Sequence, residues 1–186
     1  MPLTEVDPGL ALIVIDLQKG VLRRGTVHPV EEVTRRAAHL ARVFRRHGLP
    51  VVMVNAAGGA PGRTDSGVRR HDPPADWTEL IEELGAKPED HRITKERWGA
   101  FHETGLHQLL GTLDVTQVVL AGVATSLGVE STARSAHEHG YHVVLVTDAM
   151  TDLDADAHAN SVERIFPRLG ETTTTSAVIQ LLEQTR

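Results

Sequence analysis

Residues 10–16, LALIVID, decide which class of fold to expect. The six apolar residues before Asp16 form an unbroken run, and a strand that is apolar on both faces is typical of a parallel sheet covered on both sides. Asp16 ends the run with a charge. The stretch therefore predicts a buried strand whose carboxyl end faces a crevice.

The same pattern recurs along the chain, with helices between the strands. Further strands are predicted at 50–54, 92–94, 117–121, 143–146 and 172–175. Apolar residues at helical spacing predict helices at 29–48, 106–113, 129–140 and 155–169, and a last one carrying Val178, Ile179 and Leu182.

Strict alternation of strands and helices favours right-handed crossovers. We therefore predict an α/β fold: a three-layer α/β/α domain, residues 1–186, with a mainly parallel, doubly wound sheet of roughly six strands. Ligands of such sheets bind outside the carboxyl ends of the strands. Asp16, Gly122 and Asp148 are expected at those ends.

Composition narrows the function. A net charge of -6 gives no basic face for nucleic acid, and no apolar run reaches the roughly 20 residues of a membrane span. The acidic N-terminus lacks the features of a signal peptide, which favours a cytoplasmic location. The chain has no cysteine, so disulfides, thiolate metal sites and a cysteine nucleophile are excluded. A small-molecule substrate is the expected partner.

Other motifs point to no cofactor and no metal. A calcium loop is imitated by Asp152, Asp154, Asp156, Asn160 and Glu163, but Ala157 stands where such loops need glycine. Acidic residues at the start of the next helix explain this segment more simply. The glycine-rich residues 58–62 match neither a dinucleotide fingerprint nor a P-loop.

Three segments resemble the isochorismatase-like hydrolases, in the same order along nearly the whole chain. They are residues 14–18, VIDLQ, residues 93–101, ITKERWGAF, and residues 122–134, GVATSLGVESTAR. By this resemblance, Asp16 and Lys95 correspond to the catalytic aspartate and lysine of the family. Gly128 stands where the amidase branch has its cysteine, so the chain is identified as a member of the branch that lacks it.

The resemblance implies hydrolysis of a small, carboxylated metabolite by water, with Asp16 as general acid or base and Lys95 stabilising negative charge. It also implies a cis peptide bond between Val123 and Ala124. If Thr125 or Ser126 caps the following helix, the amides of Leu127 and Gly128 are free to hold an oxygen. The residues expected to bind substrate are Gln18, Trp98, Phe101, Val123, Ala124, Thr125 and Leu127.

Some alternatives stay open. Burial would raise the pKa of Asp16 and a neighbouring Lys95 would lower it, so the sequence gives no sign for the shift. A cysteine-independent amidase would use Asp16 as base, and a non-catalytic binding or scaffold protein would only hold a ligand. Arg69 and Arg70 are candidates for replacing polar residues that isochorismatases place before the lysine. A homodimer or homotetramer is expected from the family.

Overall fold

The computed structural model describes residues 3–65 and 73–185 and contains a six-stranded sheet. Each neighbouring pair of strands is parallel, in the order β3-β2-β1-β4-β5-β6. This confirms the predicted doubly wound α/β fold. The strands are β1 (Leu10–Ile15), β2 (Val51–Ala56), β3 (His91–Lys95), β4 (Gln117–Val123), β5 (His142–Thr151) and β6 (Glu171–Thr173).

Helices connect the strands. They are α1 (Lys19–Leu22), α2 (Val30–Arg46), α3 (Leu106–Thr112), α4 (Glu130–Glu138), α5 (Ala155–Asn160) and α6 (Thr175–Thr185). Single π-helical turns span Thr125–Val129 and Ser161–Ile165, and short 3-10 turns span Glu82–Leu84 and Phe166–Arg168. In the part of the chain that the structure describes, no helix has the length and apolar character to cross a membrane.

The side chains of β1 divide between two apolar clusters, because successive residues of a strand point to opposite faces. Leu10, Leu12 and Val14 pack with residues of α2 and α6 on one face. The alternate positions, Ala11 and Ile13 among them, pack with residues of α3 and α4 on the other. All six residues of β1 are buried, as the opening run predicts.

The sheet reverses its winding at β1. From β1 the chain passes to β2 and β3 on one side, and β4, β5 and β6 lie on the other. A Cβ on Gly122, which has a φ of 123°, would lie 2.0 Å from the carbonyl oxygen of Ile15, so only glycine allows β4 to approach β1 this closely. Ligand sites of doubly wound sheets lie at such reversals.

Strand β5 is longer than the sequence predicts. It continues past Val146 to Thr151, and its register with β4 shifts between Leu120 and Gly122. Asp148 therefore lies within the strand, where its carboxylate accepts hydrogen bonds from the backbone N–H and the hydroxyl of Thr175, at 2.7 and 2.9 Å. The expectation that Asp148 lies at the end of this strand is wrong, since the strand continues to Thr151, and the Asp148 carboxylate caps α6.

The predicted threonine strand is also shorter in the structure. β6 ends at Thr173, and Thr175 is the first residue of α6. The proposed replacement residues Arg69 and Arg70 lie outside the described residues.

Candidate active site

Asp16, Lys95 and Gly128 meet at the carboxyl edge of the sheet. Asp16 follows β1 directly, and Lys95 is the last residue of β3. The Lys95 side chain spans the width of β2, and its Nζ lies 2.7 Å from Oδ2 of Asp16. Both side chains are buried, with exposed fractions of 2% for Lys95 and 8% for Asp16. Nζ also donates to the carbonyl of Arg97, at 3.1 Å.

Gly128 lies against the carboxylate of Asp16. A Cβ at position 128 would lie 3.0 Å from Oδ2 of Asp16 and 3.1 Å from Cγ2 of Ile15. Both distances are shorter than most contacts of real Cβ atoms, so a side chain here would crowd the carboxylate. Gly128 is therefore next to the buried ion pair.

The carboxylate of Asp16 is bonded on one side only. Its Oδ1 is buried and, within the described residues, has no hydrogen-bond partner. Burial raises the pKa of Asp16 from 3.8 to about 6, and the charge and hydrogen bond of Lys95 oppose that rise without cancelling it. A group that changes protonation near pH 6 can exchange a proton with a substrate under mild conditions.

The backbone of Asp16 is also unusual. Its φ is 50°, in the left-handed region that residues with a Cβ rarely adopt. The conformation is held by two backbone hydrogen bonds: the N–H of Asp16 donates to the carbonyl of Val54 at 2.9 Å, and its own carbonyl accepts from Gln18 at 2.8 Å. Strained residues of this kind cluster at functional sites.

The turn that carries Gly128, Thr125–Val129, is capped by a distant residue. Asp152, at the end of β5, accepts from the N–H of Ser126 at 2.6 Å through Oδ2. The expectation that Thr125 or Ser126 caps this turn is wrong, and the N–H of Leu127 is not free, because it donates to the carbonyl of Ala124 at 3.1 Å. The Val123–Ala124 peptide is cis, as the resemblance implies.

Thr132, in α4, joins the turn to the segment that follows Lys95. Its hydroxyl donates to the carbonyl of Gly128 at 2.7 Å and accepts from the N–H of Ala100 at 3.0 Å. Thr132 is fully buried. Nothing in the sequence pointed to Thr132, since only the arrangement of the three segments in space shows its role.

Gln18 has no free polar group. Its amide nitrogen donates to the carbonyls of Ala56 and Trp77, at 2.9 and 2.8 Å, and its amide oxygen accepts from the N–H of Ala56 at 2.6 Å. It is fully buried, and every bond fixes backbone. The structure contradicts the expectation that Gln18 binds substrate, because its hydrogen-bonding groups are occupied.

Phe101 lies away from the crevice. Its ring packs against those of His139 and Tyr141, at centroid distances of 5.2 and 5.9 Å, and these residues precede the start of β5. Phe101 is thus directed toward the amino ends of the strands, which contradicts its expected contact with substrate. Phe101 is close to Lys95 in sequence, but the chain that joins them packs along α4 and leads away from the crevice.

The other predicted substrate contacts differ in exposure. Trp98 is 59% exposed, whereas Val123, Ala124 and Thr125 are buried. Leu127 is half-buried and packs against the cluster that includes Val123. Only Trp98 thus offers a large side chain to solvent.

Two acidic residues of the segment that resembles a calcium loop accept hydrogen bonds from backbone N–H groups as caps. Besides capping Ser126, Asp152 accepts from the N–H of Leu153 at 2.7 Å, and Asp154 caps α5 by accepting from Ala157 at 2.8 Å. Across residues 3–65 and 73–185, no three His, Asp or Glu side chains are grouped as a metal site requires.

A cavity of about 690 Å³ lies elsewhere, between α1, α2 and the turn Glu82–Leu84. Its walls include Leu22, Val30, Ala38 and Ile81, and neither Asp16 nor Lys95. The candidate site is therefore identified by its contacts and charges and not by the volume of a cavity.

Comparison with known proteins adds independent information. The family model described as "Isochorismatase domain" matches residues 10–177. An isochorismatase family protein of unknown activity from Bacillus subtilis, YwoC, is 37% identical over 95% of this chain and 94% of its own length. Another from Escherichia coli O157:H7, YecD, is 36% identical over 92% of this chain and 95% of its own length.

A solved structure is similar over the whole fold. It belongs to an isochorismatase family protein from Burkholderia thailandensis, with a TM-score of 0.89 and 37% sequence identity. The alignment covers 96% of this chain and 97% of the other.

Proposed function

The chain belongs to the isochorismatase family and is a hydrolase, and we propose that it cleaves a small, carboxylated metabolite with water as the nucleophile. Asp16 transfers the proton, and Lys95 stabilises negative charge. A cysteine nucleophile is excluded, because position 128 is a glycine and the chain has no cysteine, and water takes its place in this proposal.

One observation carries this proposal: Oδ2 of Asp16 is bound to Lys95 and lies beside Gly128, whereas Oδ1 is buried and has no hydrogen-bond partner among the described residues. A buried polar atom with no hydrogen bond costs free energy, and native proteins keep few of them. A carboxyl oxygen left free at a strand end is therefore explained by a task that needs it. Proton exchange with a substrate is such a task.

The protonation state of Asp16 decides which bond is cleaved. Below pH 6 the carboxyl group keeps its proton for the most part, and a carboxylic acid can protonate the carbon–carbon double bond of an enol ether. Water then adds to the activated carbon and the ether bond breaks, giving an alcohol and a carbonyl compound. Isochorismate is an enol ether of this type.

Lys95 has the capacity to bind an oxygen of the substrate. An ammonium group has three N–H donors. Two of them are used by Asp16 and by the carbonyl of Arg97. The third supports binding of a carboxylate or of an oxygen that gains negative charge. We propose that the N–H of Gly128 is a second donor to this oxygen.

Hydrolysis of an amide is the second candidate, favoured by the ion pair itself. Lys95 stabilises the ionised form of Asp16, and above pH 6 a carboxylate can act as base toward water. A maleamate amidohydrolase from Pseudomonas putida is 28% identical over 92% of this chain. The two candidates differ in sign: turnover falls as the pH rises through 6 if Asp16 is the acid, and rises if it is the base.

The test is incubation of the purified protein with isochorismate and a panel of small amides, maleamate included, from pH 4.5 to 8. The expected result is hydrolysis of at least one compound, and an Asp16→Asn variant slower by about 10²- to 10⁴-fold, the usual contribution of a general acid or base. Wild-type protein that binds a compound without converting it, or an Asp16→Asn variant with undiminished turnover, would refute the proposal. Assembly into a homodimer or homotetramer stays a separate prediction, which sedimentation tests.

A further inference from the structure

One histidine that the proposed reaction does not use contacts the turn Thr125–Val129, and a second histidine packs against the first. His158, in α5, has its Nδ1 2.9 Å from Oγ1 of Thr125. His28, from the segment between α1 and α2, packs edge to face against His158, with ring centroids 4.7 Å apart. Both the N–H and the Nδ1 of His28 lie 3.1 Å from the hydroxyl of Thr151. The turn is therefore contacted by α5, which carries His158 and lies 33 residues from Thr125 in sequence.

The hydrogen bond between His158 and Thr125 is buried at its threonine end, and His158 is half-buried. Thr125 is fully buried, and in the described part of the chain its hydroxyl bonds to His158. A neutral histidine with its proton on Nε2 accepts the threonine proton at Nδ1. Burial and the neighbouring His28 lower the pKa of His158, while Asp152 raises it, and the net effect favours this neutral form.

The turn depends on such contacts from outside. Its first residues make no side-chain cap of their own. Asp152 holds the N–H of Ser126, and His158 holds the side chain of Thr125, so residues 152–158 fix two consecutive positions at the start of the turn. Gly128 follows Thr125 by three residues in the same turn.

The position of Gly128 allows little movement. A Cβ placed on Gly128 would lie 3.0 Å from Oδ2 of Asp16, so the turn packs closely against the proton-transfer group. A shift of about 1 Å in a supporting element can reduce the rate of an enzyme by about 10²-fold. Anything that fixes Thr125 therefore also fixes the surroundings of Asp16.

We infer that His158 is a positioning residue: through its hydrogen bond to Thr125 it holds the turn Thr125–Val129 against Asp16 and so sets the rate of hydrolysis without touching the substrate. This inference rests on the proposed function for its kinetic part. Its structural part, the immobilisation of the turn by His158, stands independently of which compound is cleaved. His28 supports the ring of His158 and has the smaller effect.

The test compares two substitutions at one position. His158→Leu removes the acceptor, and His158→Asn keeps one, since its Oδ1 takes a place close to that of Nδ1. Two readouts are used: kcat and KM on the compound that the wild type hydrolyses, and hydrogen exchange of the backbone amides of residues 125–129. His39→Leu, on the exposed side of α2, is the matched control.

The expected result is a fall in kcat of about 10- to 100-fold for His158→Leu, with little change in KM and faster exchange in the turn. His158→Asn restores both readouts, and His39→Leu changes neither. Wild-type exchange in His158→Leu, or an equal loss in His158→Asn, would overturn the inference. If the wild type hydrolyses no compound, the proposed function fails, and the exchange data alone decide whether His158 positions the turn.

Discussion

Two ion pairs of this protein have a buried carboxylate and differ in how completely that carboxylate is bonded. Asp90 receives Nε of Arg45 on one oxygen and Nη2 on the other, both at 2.8 Å, and the N–H of Lys87 adds a third bond at 2.7 Å. Asp16 receives Lys95 on one oxygen, while the other is buried without a partner in the described residues.

We interpret this difference as that between a pair with a structural role, Arg45–Asp90, and the pair proposed to react, Lys95–Asp16. Arg45 and Asp90 satisfy each other and tie α2 to the segment before β3, far from the crevice. Asp16 is desolvated without full compensation, which is why its pKa is raised to about 6. Completeness of hydrogen bonding, more than burial, therefore distinguishes the group proposed to react. Substitution of Lys95 should therefore mainly reduce turnover, and substitution of Arg45 should mainly reduce stability.

Of the substitutions that remove the cation of a pair, Lys95→Met has the larger expected effect. Loss of the ammonium removes the charge that stabilises a developing anion, so turnover should fall by about 10²- to 10³-fold. Because Lys95 lowers the pKa of Asp16, its removal should also move the pH profile of kcat to a midpoint above 6. The profile of Arg45→Met, recorded as a control, should keep the wild-type midpoint and turnover. A Lys95→Met profile at or below the wild-type midpoint would contradict this reasoning.

The second effect concerns stability. Arg45→Met leaves the buried carboxylate of Asp90 without its cation, and removing one partner of a buried pair costs about 3 kcal/mol. Urea unfolding of the variant should show this loss as a lower midpoint with an unchanged slope. A loss below about 1 kcal/mol would mean that the pair behaves as an exposed salt bridge.

The third effect is a dependence of stability on pH that belongs to Asp16. Its folded pKa of about 6 exceeds the ordinary 3.8, so the folded state binds the proton more tightly than the unfolded chain. The resulting stabilisation is complete below pH 3.8 and is lost as the pH rises through 6. The loss amounts to about 3 kcal/mol. Unfolding free energies of wild type and Asp16→Asn, measured from pH 3.5 to 7.5, should differ by a term that declines with pH. A term that grows with pH would have the wrong sign.

The smallest effect is expected from Gly128→Ala. The new methyl group would lie 3.0 Å from Oδ2 of Asp16, and the crowding should cost about 1–2 kcal/mol of stability. Gly99→Ala is the matched control, because its methyl group would meet the carbonyl oxygen of Ser131 at 3.4 Å, an ordinary contact. Thermal unfolding of both variants checks the difference. Equal stability of the two variants would show that the Asp16 carboxylate moves away from the new methyl group without cost, which would contradict this prediction.

The fold was predictable because burial leaves a local signal. An apolar run such as residues 10–15 indicates a strand covered on both faces, and apolar residues at helical spacing indicate α2, α3 and α4. The bulge in β5 left no comparable signal. Asp148 was therefore expected at a strand end, and the structure shows that it caps α6.

The centre of the site was predictable from the resemblance, whereas its supports were not. Asp16, Lys95 and Gly128 each lie within a recognisable segment. Asp152 and His158 act on the turn across 26 and 33 residues of sequence, and no local pattern reports hydrogen bonds of that range. The directions of Gln18 and Phe101 were misjudged for the same reason, because each is the last residue of a recognised segment but points to another part of the fold.

The most direct test of the central claim is the pKa of Asp16 itself, measured from the carboxyl ¹³C resonance of the labelled wild-type protein as a function of pH. This experiment needs no substrate. A titration midpoint at about 6 is expected, since one buried oxygen of Asp16 has no partner among the described residues to stabilise its charge. A midpoint at or below the ordinary value of 3.8 would show that Lys95 fully compensates for burial, and Asp16 would then be a salt-bridge partner with no proton to give.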